Sequence, residues 1–154
     1  MPNLHKPHGT NLRSGRYSEV GRIYLLTSVL HQRQRLFDGF AVGRLLVSEL
    51  RTLHEQDWVE SLAWVVMPDH LHWLVSLKRG ALDVVMRHLK GRGSRSINHH
   101  LGRSGTVWQR GYHDHVLSNE DDLKAFARYV VTNPLRAGLV KRVGDYPLWD
   151  AVWL

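Results

Sequence analysis

Cysteine is absent from all 154 residues, so the chain forms no disulfide, no thiolate zinc site and no cysteine nucleophile. Any metal has to sit on His, Asp, Glu, Asn or Gln, which excludes the zinc fingers. Long apolar runs are missing too. Nothing approaches the roughly 20 residues that a membrane-spanning helix needs, and the polar N-terminus has no signal-peptide core. A cytoplasmic location is the resulting expectation. Acids are lacking in two stretches: residues 1–18 carry Lys6, Arg13 and Arg16, and residues 84–113 carry Arg87, Lys90, Arg92, Arg95, Arg103 and Arg110. Removing these nine from the 21 Lys and Arg leaves 12 bases against 14 acids, so the formal charge of +7 is concentrated in two segments. Such clustering suits contacts to a phosphate backbone, although exposed arginines also serve solubility.

What is present is enough apolar material, 43% of residues, for one core. The chain reads as a single domain over 1–154, with an extended basic arm at 1–20, a core at 21–140 and a packed tail at 141–154. Arg22 to Leu30 is rich in β-formers and predicts a first strand. From Asp38, a suitable N-cap, to about His54, the apolar residues Val42, Leu46, Leu50 and Leu53 recur at helical steps. Ser61–Met67 predicts a second strand, Pro68-Asp69 a turn, and Leu71–Leu77 a third strand beside the second. A second helix is expected from Ala81, weakening at Gly91 and Gly93 before resuming toward His100. Val107-Trp108 and Tyr112–Leu117 look extended. Glu120–Val131 looks helical, with Leu123, Phe126 and Val130 inward and acids at its start.

This order predicts an α+β, ferredoxin-like fold: a four-stranded antiparallel sheet with two helices on one face, plus an extra C-terminal helix carrying a tyrosine. Chemistry concentrates in Met67-Pro68-Asp69-His70-Leu71-His72. Alternation along a strand turns His70 and His72 the same way, and two imidazoles on a rigid edge make half of a divalent-metal site. Polar residues on a half-exposed strand are the bland alternative, and His113-Asp114-His115 is a rival pair. Tyrosine is a poor nucleophile while protonated and needs about 4 kcal/mol of help at neutral pH. A metal and arginines nearby could supply that help. Of five tyrosines, Tyr129 on the late helix is favoured over Tyr17, Tyr24, Tyr112 and Tyr146 because Asn133 at i+4 would share its helix face, with an aromatic packed at the helix flank as the bland alternative. Asn133 could instead simply end the helix before Pro134. Two imidazoles and an amide oxygen suit Mg2+ or Mn2+. Trp108 and Arg110 combine an aromatic and a base in a pattern fit for stacking unpaired bases, though core packing explains the tryptophan equally well.

Met67–His72 resembles the HUH motif of the single-tyrosine HUH transposases, and Tyr129-Val130-Val131-Thr132-Asn133-Pro134-Leu135-Arg136-Ala137-Gly138 resembles their catalytic-tyrosine helix. Leu12–Tyr17, Gly21, Tyr24, Val107–Tyr112 and Asp145-Tyr146-Pro147 add a similarity, spanning nearly the whole chain, to the REP-associated tyrosine transposases, a bacterial group. The resemblance implies a transposase that nicks and joins single-stranded DNA near REP-type hairpins through a 5′-phosphotyrosine. Tyr129 would be the nucleophile, with His70, His72 and Asn133 holding the ion. Arg13 and Arg16 would read bases, and Arg87, Lys90, Arg92 and Arg95 would contact the backbone. A nucleoid-associated monomer or homodimer is implied. Asp69 departs from the asparagine that many relatives carry there. Two other readings compete: a non-catalytic hairpin DNA or RNA binder on the same scaffold, and a metal phosphoesterase of small substrates.

Overall fold

A computed structural model of the chain describes residues 18–118 and 121–152. Its strands are β1 (Ile23–Val29), β2 (Val59–Met67), β3 (His70–Leu77), β4 (His113–Val116) and β5 (Trp149–Ala151). Its helices are α1 (Phe40–Glu55), α2 (Leu82–Leu101), α3 (Asp121–Val131) and the single turn α4 (Asn133–Arg136). The strands form one antiparallel sheet in the order β4-β1-β3-β2-β5. The βαββαβ succession expected from the sequence is present, but the sheet has five strands rather than four. Only three residues make β5, too few for a period-two pattern to announce them, and they pair with the edge of β2.

Alternation divides the sheet into two apolar faces. Tyr24, Leu26, Leu71, Trp73 and Val75 face α1 and α2, joining Leu46, Leu50, Val85 and Leu89 in one core cluster. Leu25, Val65, Met67 and Leu74 face the other way and pack with Phe126, Ala127, Val130 and Val131 of α3. Two helices therefore cover one face, as anticipated, while α3 roofs the other. Near the C-terminal end, buried Leu148 joins the first cluster, and Tyr146 donates to the carbonyl of Val66 at 2.6 Å.

Element ends differ from the sequence reading where local chemistry had rivals. Asp38 does not cap α1; Gly39 holds that position and the Asp38 carboxylate instead takes Arg35 at 2.9 Å. Strand β3 opens at His70, one residue early. Helix α2 runs unbroken through Gly91 and Gly93, because Gly93 lies buried where the helix passes Leu46 and Trp108. A Cβ at Gly91 would meet open space. Gly91→Ala is therefore expected to raise stability by about 1 kcal/mol, read as a higher denaturant midpoint at unchanged slope.

Lys90 is turned inward, its ammonium donating to the carbonyls of Gln109 (3.0 Å) and Gly111 and so fastening the segment before β4 to α2. Burial lowers its pKa to about 8. Between pH 8 and the ordinary lysine value, the unfolded chain holds a proton that the folded chain has released, so stability rises with pH across that window. Relative to Lys90→Met, the wild type should gain up to about 3 kcal/mol over this window, measured by urea unfolding at stepped pH. Tyr146 acts oppositely above it. Burial, then Asp38, pushes its phenol up to about 12, so its contribution is complete below the usual tyrosine value and is lost as pH rises toward 12.

Candidate active site

His70 and His72 stand on the α3 face of β3, and their register fixes their neighbours. His72 lies between Thr27 of β1 and Val65 of β2, and His70 between Val29 and Met67. The two rings meet edge-on with centroids 4.8 Å apart. Each imidazole is held by its Nδ1. That of His70 is 2.7 Å from Asp69 Oδ1, and that of His72 is 2.8 Å from Thr27 Oγ1. With Nδ1 so engaged, Nε2 is the nitrogen able to ligate.

Burial lowers the pKa of His70 despite the adjacent Asp69 carboxylate, which favours the neutral imidazole a metal requires. For Asp69, burial raises the pKa, but the His70 hydrogen bond and Arg33 together outweigh it, so the carboxyl sits below its usual range. Arg33 Nη1 donates to the second carboxylate oxygen at 3.0 Å.

Tyr129 projects from α3 toward His72. Its ring lies edge-on to His72, with centroids 5.9 Å apart, and is 6% exposed. Arg136 covers the ring: its guanidinium carbon stands 4.1 Å from the ring centroid, and Nη2 donates to the Tyr129 carbonyl at 2.6 Å. Asn133 opens α4 just after the Thr132 joint, one turn beyond Tyr129, and is half-buried. Its backbone carbonyl accepts from the Ala137 amide at 2.9 Å, which closes the α4 turn. The structure brings the rings of His70, His72 and Tyr129 together. Thr27, Arg33 and Arg136 were not foreseen. Strand alternation could have singled out Thr27, whereas nothing in the sequence pairs Arg33 with Asp69.

The rival pair shares this sheet face but not this cluster. His113 is aligned with Thr27, which separates it from His72, and the His115 ring stacks on Phe126 at 5.1 Å. Among the described residues, no group of three or more His, Cys, Asp and Glu side chains is arranged to hold a metal. The fit to a divalent ion therefore rests first on the two imidazoles of His70 and His72, each held through Nδ1.

The expected DNA-contact residues are dispersed. Arg87, Arg92 and Arg95 are exposed on α2, across the sheet from the histidines, and Arg92 pairs with Glu49 at 3.1 Å. Arg110 is exposed ahead of the β4 edge. Lys90 and Trp108 are the exceptions: the first is tied to backbone carbonyls, and the second is buried against Phe37 at 5.9 Å, so neither presents its head group to a ligand. Arg13 and Arg16 lie outside the described residues. Among those residues, no helix is long and apolar enough to cross a membrane.

Residues 21–133 match the family described as "Transposase IS200 like". The chain belongs to the IS200-like transposase family. Within it, this transposase is 27% identical over 138 residues to a protein named as a REP-associated tyrosine transposase in Haemophilus influenzae, covering 82% of the chain and 78% of the relative. It is 32% identical over 85 residues to the REP-associated tyrosine transposase of Escherichia coli K12, covering 55% of the chain and half of that protein. A solved REP-associated tyrosine transposase bound to a REP hairpin superposes with a TM-score of 0.73 at 26% identity, covering 89% of this chain and 81% of that one. A crystal structure assigned as a transposase from Deinococcus radiodurans R1 shares the fold, with a TM-score of 0.54 at 24% identity over 79% of this chain and 97% of the other.

Proposed function

We propose that this transposase nicks and rejoins single-stranded DNA beside a REP-type hairpin, with Tyr129 as the nucleophile. The observation that supports the reading is the edge contact of the Tyr129 ring with His72, whose own ring meets that of His70. In the proposed step, the phenol oxygen bonds to phosphorus as the P–O3′ bond breaks, leaving a 5′-phosphotyrosine and a free 3′-hydroxyl. The phenolic proton passes to water and the departing oxygen gains one from water, so the step is balanced. Attack by another 3′-hydroxyl reverses it and joins strands. His70, His72 and Asn133 would hold Mg2+ or Mn2+, which when bound supplies Lewis-acid stabilisation and orientation of the phosphate.

The residues of this chain have separate tasks. Arg136 holds the Tyr129 ring and the backbone beneath it, and Asp69 and Thr27 hold the imidazoles. The hairpin partner is carried over from the similar hairpin-bound transposase. Because α2 and the histidines occupy opposite faces, a nucleic acid that touches both has to pass around a sheet edge. The basic arm, with Arg13 and Arg16, is proposed to read bases, while Arg87, Arg92, Arg95 and Arg110 supply phosphate contacts.

The test is a panel of labelled palindromic oligonucleotides with single-stranded flanks, incubated with Mn2+ and resolved by denaturing gel. A covalent adduct on the 5′-phosphate end of the fragment downstream of the cut, dependent on a hairpin, supports the reading. Binding without any adduct across the panel would favour a hairpin-binding protein instead.

A further inference from the structure

We propose that Asp69, braced by Arg33, is a positioning residue that fixes His70 in the tautomer able to ligate a divalent cation through Nε2. The inference rests on the metal-centre reading above. Neutral histidine in water favours the proton on Nε2, which blocks that nitrogen as a ligand. A carboxylate held at Nδ1 reverses the preference and also fixes the plane of the ring. Asp69 is placed to do so: Oδ1 lies 2.7 Å from His70 Nδ1, while Oδ2 accepts from Arg33 at 3.0 Å. Both oxygens of one carboxylate are thereby spent on fixing its orientation.

The backbone around this chain of contacts is built to deliver Arg33. Gln32 and Arg33 take φ of 54° and 51°, two successive non-glycine residues in the left-handed region. Such conformations persist only where surrounding structure enforces them. Here the enforcement is visible. The Leu30 amide donates to the Asp69 carbonyl at 2.9 Å, the Phe37 amide to the Pro68 carbonyl at 3.0 Å, and the Arg33 amide to the Leu30 carbonyl at 2.9 Å. The segment after β1 is thus clamped onto the β2–β3 turn from both sides, with Arg33 over the carboxylate. The Arg33 side chain remains 67% exposed, whereas the Asp69 and His70 side chains are 21% and 17% exposed. Burial of apolar surface therefore does not account for the contact. His72 is served differently, by the neutral hydroxyl of Thr27.

The experiment uses the full chain, metal-free and labelled with 15N-histidine, at a pH where imidazole is neutral. Long-range proton–nitrogen spectra are expected to show His70 as the Nδ1–H tautomer in the wild type and in Asp69→Asn, whose amide oxygen still accepts. Asp69→Ala should release His70 toward Nε2–H while His72 keeps its state. Mn2+ affinity, read by electron paramagnetic resonance, should fall about 10- to 100-fold in Asp69→Ala and less in Arg33→Gln. A wild-type His70 carrying its proton on Nε2 would overturn the proposal, and this needs no variant to fold. So would an Asp69→Ala protein with unchanged tautomer and affinity. His70→Ala separates the two levels: Mn2+ binding unaffected by it defeats the metal-centre reading, whereas loss of binding there without loss in Asp69→Ala defeats only the role of Asp69.

Discussion

Tyr129→Phe should abolish the covalent protein–DNA adduct and lower the cleavage rate on the order of 10⁴-fold or more, while hairpin affinity stays within about threefold. The substitution removes one oxygen and leaves the ring, which is what packs beside His72 and beneath Arg136. Stability should change by about 1 kcal/mol or less, against about 3–5 kcal/mol for Tyr129→Ala, which would empty a buried site. The other described tyrosines are committed elsewhere. The Tyr24 hydroxyl accepts from the Glu19 amide at 2.9 Å, Tyr112 donates to Asp83 at 2.7 Å, and Tyr146 donates to the Val66 carbonyl. An adduct that survives in Tyr129→Phe, mapped by mass spectrometry to another residue, would reassign the nucleophile.

The second large effect is expected from the histidines. His70→Ala or His72→Ala should weaken Mn2+ binding by at least about 100-fold and stop cleavage at ordinary metal concentrations. His113→Ala and His115→Ala should leave both nearly intact. Strands in a sheet lie about 4.8 Å apart, so two strand steps put the backbones at His72 and His113 roughly 10 Å from each other. Thr27 stands between them in the sheet, and the His115 ring is stacked on Phe126. Circular dichroism has to accompany His72→Ala, because it leaves Thr27 without its imidazole partner at a cost of about 1–3 kcal/mol. Titration calorimetry with Mn2+ decides the matter, and a loss confined to His113 or His115 would move the centre to β4.

The parts legible in the sequence were those with strong periodicity. Val42, Leu46, Leu50 and Leu53 marked α1, and the His-X-His spacing placed both imidazoles on one face, where they are. Other parts depended on contacts distant along the chain. Asp38 looked like a cap, yet the arginine three residues before it competed successfully for its carboxylate. Gly91 and Gly93 looked like a weak point, yet packing of α2 outweighed their low propensity and the helix runs through both. Trp108 and Lys90 read as ligand-facing in a basic stretch, and tertiary packing turned both inward. The Arg33–Asp69 contact joins residues 36 apart through backbone conformations that no local rule favours.

The roofing of the sheet by α3 has a mechanical corollary under the proposed chemistry. The helix that bears Tyr129 is glued down by Phe126, Val130 and Val131, so a DNA end esterified to the phenol has little leash. Moving that end any distance would require peeling an oily layer off the strands. Exchange of partners at this centre is therefore expected to proceed by shuttling the nucleic acid past a stationary anchor, with the protein serving as a vice rather than an arm.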